Sequence, residues 1–381
     1  MTELLPNQRH LFDIPDDVAY LNCATMGPMP RAAVLAGNTG LSRKAQPWAI
    51  TTDDFFKDTD SLRPKLARLI HADTDGIAFV PSASYAMATA AQNITLERGQ
   101  SIVLMADQFP SNVYVWRDLA ERSGASIKTV SASSENMSVS EAMLEAIGPE
   151  TGLVACPQIR WTDGIKLDLD AISAKCRRVG AALVLDLTQS CGAMPFDADR
   201  VKPDFMVAAG YKWMLGPYAT GFMYVAPRHR NGRPLEFNWI NREGSRDFTQ
   251  LTNYTDNIER NAQRFDMGER SNFALLPAAE AALDLLLEWG VSRIEQTLRD
   301  VNQRLAERLN AIGLICPDEA DRGSHYLGAC LPSGVDDNLT AKLSAENIYV
   351  SRRGNTLRIT PHLYNTPDDM DRFIEAVKSH L

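Results

Sequence analysis

The sequence predicts an α/β protein with a mostly parallel sheet of seven strands, followed by a smaller α+β unit. Short apolar runs bounded by turn residues alternate with amphipathic stretches up to residue 225. A polar segment without clear periodicity follows, and strand and helix patterns return in the last third of the chain. Strands that alternate with helices are typical of βαβ units, in which consecutive strands run parallel.

Seven apolar runs are predicted to form the strands of the main sheet, the first five of them as buried strands. They cover residues 77–80, 101–105, 126–130, 151–156, 182–187, 205–208 and 220–225. Helices are expected between them over residues 84–95, 112–122, 140–147 and 169–179, where apolar positions recur at helical spacing.

The pattern changes after residue 228. The chain is rich in Asn and Arg up to about residue 272, and a nonperiodic stretch of this length indicates functional or interface use. Pro277 begins a predicted helix that ends at Gly290, and further elements are expected at 291–309, 326–331, 339–346, 357–360 and from Pro367. We expect a large α/β domain over residues 16–260. The small α+β domain is expected over 261–381, together with the N-terminal segment 1–15.

Composition excludes several classes of function. The 381 residues include 39 Lys and Arg against 48 Asp and Glu, a net charge of −9, whereas a nucleic-acid surface needs a basic stripe. No run approaches the ~18 apolar residues of a membrane span, and the first 15 residues lack the order of a signal peptide. The six cysteines and six histidines are scattered, so we predict free thiols and no metal site. We expect a cytoplasmic protein without nucleic-acid or membrane partners.

Asp186 and Lys212 are the strongest chemical signal. Asp186 ends an apolar strand, and ligands of open α/β sheets gather at the C-terminal ends of strands. Lys212 follows another apolar run, where desolvation lowers its pKa and makes its amine nucleophilic. An amine that forms an imine and a carboxylate for a pyridinium nitrogen are the minimum equipment for pyridoxal phosphate (PLP). The ordinary alternative, a helix-capping Asp186 and a Lys212 that reaches solvent, is weakened because both occur in this order.

Two segments around these residues resemble the class V aminotransferases of the fold-type I PLP-dependent transferases. They are Val-Leu-Asp-Leu-Thr-Gln-Ser-Cys-Gly-Ala at 184–193 and Pro-Asp-Phe-Met-Val-Ala-Ala-Gly-Tyr-Lys-Trp-Met-Leu-Gly-Pro at 203–217. The superfamily includes kynureninases, cysteine desulfurases and related lyases, and the resemblance extends from residue 20 to the C-terminus. It implies PLP as cofactor, an amino-acid substrate, and a homodimer whose active site is shared across the interface.

The resemblance implies roles for three residues that face the cofactor ring. Lys212 would form the Schiff base with PLP and transfer the proton. Asp186 would form the ion pair with the pyridine nitrogen. Gln189 matches the position that contacts the ring oxygen O3′, where many kynureninases have His.

The phosphate is assigned to a loop between a strand and a helix. Ala83 and Ser84 match the phosphate loop of the family, and such a loop binds anions through free N–H groups and the helix dipole. Without the resemblance, the simpler interpretation of Ser84 is a helix cap. Tyr211 is expected to add a phenolic hydrogen bond to the same phosphate.

Phe109 lies in the most discriminating segment, Phe-Pro-Ser-Asn at 109–112, which resembles the Phe-Pro-Thr/Ser-Asp motif of kynureninases. Many class V aminotransferases and the cysteine desulfurases have His here, over the PLP ring. A Phe would stack on the ring and could not act as acid or base, and the simpler alternative is a core Phe at a strand end. Asn112 stands where the kynureninase motif has Asp.

The substrate side is assigned to both ends of the chain. Arg358 lies in a segment that resembles the family's carboxylate-binding strand, and a guanidinium pairs with a carboxylate through two parallel hydrogen bonds. Asn22 and Cys23 lie in a segment that resembles the family's opening segment, although Cys23 fits equally well as a small buried filler. Metal ligands are not among the predicted site residues.

Three further residues are expected to complete the site. The segment 265–272 resembles the one that reaches the partner subunit's phosphate, which makes Ser271 and Asn272 candidates. Trp239 lies in the irregular connection and is expected to line the substrate pocket.

Several reactions are compatible with these residues. We expect a PLP-dependent transferase of the class V aminotransferase type that acts on a small amino acid or amine. The alternative is a kynureninase-like hydrolase or Cβ–S lyase, which Phe109 favours and which Gln189 and Asn112 disfavour in its strict kynureninase form. A cysteine desulfurase would need a nucleophilic thiol, and Cys330 is predicted to be a buried strand residue. A non-catalytic PLP-binding protein is disfavoured because all the cofactor residues are retained.

Overall fold

Twelve strands form three sheets in the structure, a computed structural model that describes residues 4–131 and 137–381. In chain order the strands are β1 (Ala19–Tyr20), β2 (Ile77–Val80), β3 (Ser101–Met105), β4 (Ser126–Val130), β5 (Thr151–Pro157), β6 (Ala182–Asp186), β7 (Phe205–Ala209), β8 (Gly221–Val225), β9 (Leu327–Cys330), β10 (Ile348–Tyr349), β11 (Ser351–Arg353) and β12 (Thr356–Ile359). Residues 1–3 of the predicted N-terminal segment lie outside the described residues.

The main sheet has seven strands in the order β2-β8-β7-β6-β5-β3-β4. Only β8 runs antiparallel to its neighbours, β2 and β7. The predicted fold class, a mostly parallel seven-stranded sheet, is confirmed. Consecutive residues of a strand point to opposite faces, and on β3 the side chains of Val103 and Met105 enter one core while Ile102 and Leu104 enter the other.

The helices lie on both faces of this sheet and around the C-terminal strands. They are α1 (Arg31–Ser42), α2 (Lys57–Leu69), α3 (Ala83–Asn93), α4 (Tyr114–Ser123), α5 (Val139–Ala146), α6 (Leu169–Val179), α7 (Ala198–Val201), α8 (Leu275–Trp289), α9 (Val291–Ala311), α10 (Leu339–Ala345) and α11 (Pro367–His380). Side chains of α3 and α4 form the core on one face, and side chains of α2, α5, α6 and α8 form the core on the other.

Local sequence signals account for several helix ends. Ser82 caps α3 because its Oγ accepts a hydrogen bond from the Tyr85 amide at 3.2 Å. Helix α8 begins two residues earlier than predicted. Pro277 lies in its first turn, where a backbone N–H would have no partner within the helix, so the missing N–H of proline costs nothing. It ends as predicted at Gly290, which has a φ of 77°.

A second, smaller set of strands follows the main sheet. Strands β11, β12 and β9 form an antiparallel sheet, and the N-terminal β1 pairs with β10. Their apolar side chains form a third core with α9, α10 and α11, which also includes Ala19 and Leu21 from the N-terminal region. The domain boundary between residues 260 and 261 stays a prediction.

Two predictions of burial are wrong. Strand β4 was expected to be buried, but Ser126, Lys128 and Thr129 are exposed because β4 lies at the edge of the main sheet. Cys330 was expected to be a buried thiol, but it is exposed because Leu327, Ala329 and Leu331 enter the third core and Cys330 lies on the opposite face. The six cysteines are all free.

Neither a membrane-spanning helix nor a metal-binding cluster is found among the described residues. Within residues 4–131 and 137–381, no helix is both long and apolar enough to cross a membrane. In the same parts of the chain, no group of three or more His, Cys, Asp or Glu side chains is arranged to hold a metal ion.

Candidate active site

A cavity of about 260 Å³ lies at the C-terminal edge of the main sheet. It is lined by the segments that follow β2, β3, β5, β6 and β7, and by two residues that precede β8. Ligands of open α/β sheets collect at this edge. Seven of the predicted residues line the cavity: Ala83, Ser84, Phe109, Asp186, Gln189, Tyr211 and Lys212.

Lys212 lies in the turn that follows β7, and it is 7% exposed. Burial lowers the pKa of its amine to about 8. The negative charge of Asp186 opposes this shift, and the positive charges of Arg358 and Arg353 reinforce it. A lysine with this pKa is partly neutral near physiological pH, and the neutral amine is the form that attacks an aldehyde.

The backbone of Lys212 is packed against the N-terminal segment 22–28. The Gly27 amide donates a hydrogen bond to the Tyr211 carbonyl oxygen at 2.9 Å. A Cβ at Gly27 would lie 2.1 Å from the carbonyl oxygen of Lys212. Because no real Cβ comes that close to an oxygen, only glycine allows this approach.

Asp186 is the last residue of β6, and its carboxylate is buried at the wall of the cavity. The Thr188 amide donates to its Oδ1 at 2.9 Å. Burial raises the pKa of Asp186, while the hydrogen bonds from Thr188 and the charge of Lys212 oppose that shift. A carboxylate in this position is stabilised by a cationic group that enters the cavity.

The N-terminus of α3 faces the same cavity from the other side. Ala83 and Ser84 are its first two residues, and the first amides of a helix have no partner within it. The Ser82 and Ser84 hydroxyl oxygens lie 2.9 Å apart. Tyr211 is half-buried beside them in the cavity wall. These donors and the helix dipole are suited to an anion.

Gln189 is held by three hydrogen bonds. Its Nε2 donates to the Ala24 carbonyl oxygen at 3.1 Å, and the Trp213 indole Nε1 donates to its Oε1 at 3.1 Å. The His325 Nε2 lies 2.6 Å from the carbonyl oxygen of Gln189. Sequence reasoning missed Trp213, although its position beside Lys212 was a usable signal. It gave no signal for His325, which comes from the C-terminal region.

Phe109 and Trp161 form the apolar wall of the cavity, with ring centroids 5.5 Å apart in an edge-to-face arrangement. The Nζ of Lys212 lies 5.6 Å from the centroid of the Phe109 ring. The Trp161 indole donates a hydrogen bond to the Asp107 carbonyl oxygen at 2.6 Å. Trp161 was missed, although its place after β5 at the ligand-binding edge could have identified it. Asn112 does not face the cavity, because it is fully buried and accepts a hydrogen bond from Trp116.

Arg358 lies on β12 and is 1% exposed. Its Cζ is 5.7 Å from the centroid of the Tyr326 ring and 5.9 Å from that of Trp161. Its Nη2 donates to the Thr25 Oγ1 at 3.4 Å. Burial lowers the pKa of Arg358. The guanidinium is not part of the cavity wall itself, but its charge acts on the pKa of Lys212.

The two N-terminal candidates differ in their surroundings. The Asn22 side-chain Oδ1 is buried without a hydrogen-bond partner among the described residues, and its backbone pairs with Thr360 next to β12. Cys23 is fully buried, and its Sγ lies 3.8 Å from the Lys212 carbonyl oxygen. Burial raises the pKa of the Cys23 thiol well above its usual range.

Ser271, Asn272 and Trp239, like Arg358, Asn22 and Cys23, do not line the cavity of their own chain. The Ser271 hydroxyl donates to the Phe55 carbonyl oxygen. Asn272 caps the start of α8, because its Oδ1 accepts from the Leu275 amide at 2.9 Å. Trp239 packs against Phe248, with ring centroids 5.3 Å apart. The prediction that these residues reach a partner's site or line the substrate pocket is left untested.

Residues 50–373 match the family model described as aminotransferase class-V. The chain belongs to the class-V aminotransferase family.

Similar proteins within the class-V aminotransferases carry several activities in their names. The chain is 27% identical over 324 residues to the uncharacterized aminotransferase YcbU of Bacillus subtilis, covering 84% of both chains. It is 25% identical over 378 residues to isopenicillin N epimerase of Streptomyces clavuligerus, covering 94% of both. It is 28% identical over 340 residues to kynureninase of Deinococcus radiodurans, covering 84% of this chain and 80% of that one.

Solved structures show the same fold. C-DES with glycine linked to its PLP cofactor superimposes with a TM-score of 0.87 at 19% identity, covering 98% of this chain and 100% of that one. A cysteine desulfurase of Thermococcus onnurineus gives a TM-score of 0.83 at 18% identity, covering 97% and 96%. The cofactor of this member of the class-V aminotransferase family is pyridoxal 5′-phosphate, and the chain is a PLP-dependent enzyme.

The chemistry of the cavity fits that cofactor. The buried carboxylate of Asp186 at the cavity wall suits a protonated ring nitrogen. Open amides and hydroxyls at the start of α3 suit a phosphate. An amine with a lowered pKa suits an aldehyde. The residues of this class-V aminotransferase therefore match all three parts of PLP.

Proposed function

We propose that the protein is a PLP-dependent class-V aminotransferase that acts on a small amino acid or amine, with Lys212 as the residue that holds the cofactor. One observation carries the proposal. Lys212, whose amine has a pKa lowered to about 8, lies at the same sheet edge as the buried carboxylate of Asp186 and the open N-terminus of α3.

The residues that would hold PLP follow from their chemistry. The amides of Ala83 and Ser84, with the Tyr211 phenol, would bind the phosphate. Asp186 would accept a hydrogen bond from the protonated ring nitrogen and form an ion pair with it. Gln189 would contact the ring oxygen. When bound, PLP supplies an electrophilic aldehyde and a ring that accepts electrons from the substrate carbon next to the nitrogen.

Lys212 also serves as the group that moves a proton. The Lys212 Nζ would accept a proton from the substrate carbon next to the nitrogen, hold it, and donate it again when the product forms. A base with a pKa near the working pH is best suited to both directions. The Phe109 and Trp161 rings give one side of the cavity an apolar wall.

Arg358 would bind the substrate's carboxylate. Its guanidinium packs beside the rings of Tyr326 and Trp161, at one side of the cavity. The positive charge of the guanidinium also lowers the pKa of Lys212. Two parallel hydrogen bonds from a guanidinium fix both oxygens of a carboxylate. These two hydrogen bonds would orient the substrate so that its amine points towards Lys212. The buried Oδ1 of Asn22 is an additional acceptor near this end of the site.

We further propose that the active form is a homodimer. Apolar side chains on α1 and after it are exposed in the single chain, including Leu35, Leu41 and Trp48. Exposed apolar patches of this kind are typical of interfaces. Ser271, Asn272 and Trp239 would then serve the partner's site, since they do not line their own cavity. We also propose that the protein is cytoplasmic and that the boundary between its two domains lies between residues 260 and 261.

Phe109 supports a second candidate, a kynureninase-like hydrolase or Cβ–S lyase. It presents an apolar ring to the cavity beside Lys212, at a place where a His would offer an acid or base. A cysteine desulfurase stays an alternative as well, because Cys330 is exposed. A non-catalytic PLP-binding protein is the least supported, since Lys212, Asp186 and Arg358 are all retained.

Spectroscopy of the purified protein tests these proposals. The protein should show a visible absorption band that is lost in Lys212→Ala, and a protein that stays colourless after PLP is added would overturn the proposal. L-amino acids are then mixed singly with the holoenzyme. Conversion of the cofactor to its amine form with release of a keto acid supports transamination. Release of pyruvate or alanine with PLP regenerated supports elimination or hydrolysis.

A further inference from the structure

A second arginine, Arg353, lies on the same face of the β11–β12 hairpin as Arg358. Antiparallel pairing places Arg353 opposite Thr356 and Ser351 opposite Arg358. Residues directly opposite each other share a face, and alternate residues along a strand return to that face. The side chains of Arg353 and Arg358 therefore emerge on one side of the hairpin, and Arg352 emerges on the other.

Trp161 joins the two arginines to the cavity. The Cζ of Arg353 lies 5.3 Å from the centroid of the Trp161 ring, and the Cζ of Arg358 lies 5.9 Å from it. Trp161 itself lines the cavity. The positive charges of both arginines also lower the pKa of Lys212.

Neither arginine is neutralised by the protein. In the part of the chain that the structure describes, no carboxylate lies within 4.0 Å of the guanidinium of Arg353 or Arg358, and the nearby Asp163 is paired with Arg160. The side-chain donor of Arg353 reaches only the Arg352 carbonyl oxygen, at 2.7 Å. A cavity flanked by two cations in this state favours a ligand with two negative groups.

We propose that Arg353 binds a second anionic group of the substrate, so that the site is built for an amino acid whose side chain ends in a carboxylate or a phosphate. This inference rests on the proposed function, in which Arg358 binds the α-carboxylate. Arg358 is buried and Arg353 is exposed. The buried guanidinium of Arg358 therefore binds the α-carboxylate, and the exposed guanidinium of Arg353 binds the anionic end of the substrate's side chain at the opening of the site. A planar guanidinium pairs with either group through two hydrogen bonds.

Equilibrium binding to the holoenzyme tests this inference without turnover. Glutarate, 3-phosphonopropionate and butyrate lack an amino group, so calorimetry reports their binding alone. The wild-type holoenzyme should bind glutarate or 3-phosphonopropionate about fivefold tighter than butyrate, and the tighter of the two identifies a carboxylate or a phosphate as the second group. Arg353→Gln should abolish that preference and leave butyrate binding unchanged.

Arg352→Gln is the matched control. It removes the same charge from the same strand, but Arg352 is paired with Asp337 at 3.3 Å and donates to the Asp336 carbonyl oxygen. The preference should survive in this variant. Equal binding of all three ligands to the wild type, or a preference that persists in Arg353→Gln, would overturn the inference. A protein without the Lys212-dependent absorption band would instead overturn the proposed function, so the two failures are distinguishable.

Discussion

Trp213 donates a hydrogen bond from its indole Nε1 to the Oε1 of Gln189 at 3.1 Å. The residue that follows Lys212 is thereby tied to the residue three positions after Asp186. The amine of Lys212 lies on the turn after β7, and the carboxylate of Asp186 lies at the end of the neighbouring strand β6. This bond fixes one turn relative to the other, so the two groups of the proposed cofactor site keep their spacing.

The pH dependence of cofactor uptake should follow the pKa of Lys212. Because the neutral amine reacts with the aldehyde, the rate at which the cofactor-free protein takes up PLP should rise with pH through about 8. Arg358→Gln should move this rise to higher pH, since removal of a nearby cation favours the protonated amine. Absorbance after mixing with PLP measures the rate. An unchanged or lower midpoint in Arg358→Gln would contradict the assignment.

Asp186→Asn should impair catalysis more than cofactor attachment. The variant keeps a side chain of the same size but loses the negative charge that would hold the ring nitrogen protonated. We expect the Lys212-dependent absorption band to remain and turnover to fall about 100-fold or more. Turnover with the best substrate of the amino-acid panel is the measurement. Asp186→Glu, which keeps the charge, should retain more activity, and equal losses in both variants would count against the ion pair.

His325 should affect PLP affinity through Gln189. Burial lowers the pKa of His325 to about 4, so it is neutral, and its Nε2 donates to the carbonyl oxygen of Gln189. His325→Leu removes the donor and should weaken PLP binding about fivefold, since one buried hydrogen bond contributes ~1 kcal/mol. His325→Gln retains a donor in a similar place and should restore much of the affinity. Titration of the cofactor-free protein with PLP measures both.

His362→Leu is the control for that series. His362 is also buried and lies near Trp213, with ring centroids 6.1 Å apart, but neither of its nitrogens has a partner among the described residues. The PLP affinity of this variant should match that of the wild type. A loss as large as that of His325→Leu would show a general packing effect instead of a specific hydrogen bond.

Asp266 should be one of the most important polar residues for stability. It is fully buried, ion-paired with Arg63 at 2.7 Å and with Arg270, and it accepts the Phe79 amide at 2.8 Å. Asp266→Ala leaves two buried cations unpaired, so unfolding should become easier by about 3–5 kcal/mol. Urea denaturation measures the change. Asp118→Ala breaks an exposed pair with Arg122 and should cost at most about 0.5 kcal/mol.

Cys330 provides the test of the desulfurase alternative. Its exposed thiol interacts only with Asn355 and its own neighbour among the described residues. Under the proposed function, Cys330→Ala should retain activity within about twofold, because the thiol takes no part in it. Sulfide release from L-cysteine is measured alongside. Release by the wild type that Cys330→Ala abolishes would favour a desulfurase.

Groups that lie at strand ends could be predicted from the sequence. Asp186, Lys212 and Ser84 each follow an apolar run, and the alternation of runs places them at one edge of a parallel sheet. Contacts that join distant parts of the chain could not be predicted in this way. His325 reaches Gln189 through the packing of the C-terminal region, and no local pattern encodes that meeting.

Exposure was also beyond the sequence pattern in two places. Strand β4 has the composition of an ordinary strand, but its position at the sheet edge is a property of the topology. Cys330 lies in an apolar run, but its side chain is on the face of that run that points away from the third core. Ser271 and Trp239 are assigned to a site that the two subunits of the proposed homodimer would share, and the pattern of one chain does not define such a site.

Segment 22–28 connects the part of the site that carries Arg358 with the part that carries Lys212. At one end its backbone pairs with Thr360, which directly follows β12 and its Arg358. At the other end Gly27 lies against the turn that carries Lys212. The separation between the guanidinium of Arg358 and the amine of Lys212 therefore depends on the turn at residues 22–25 and the few residues after it, although nearly 150 residues separate them along the sequence. An amino acid that is too long or too short for that separation would bind Arg358 by its carboxylate, but its amino group would not reach the position of Lys212.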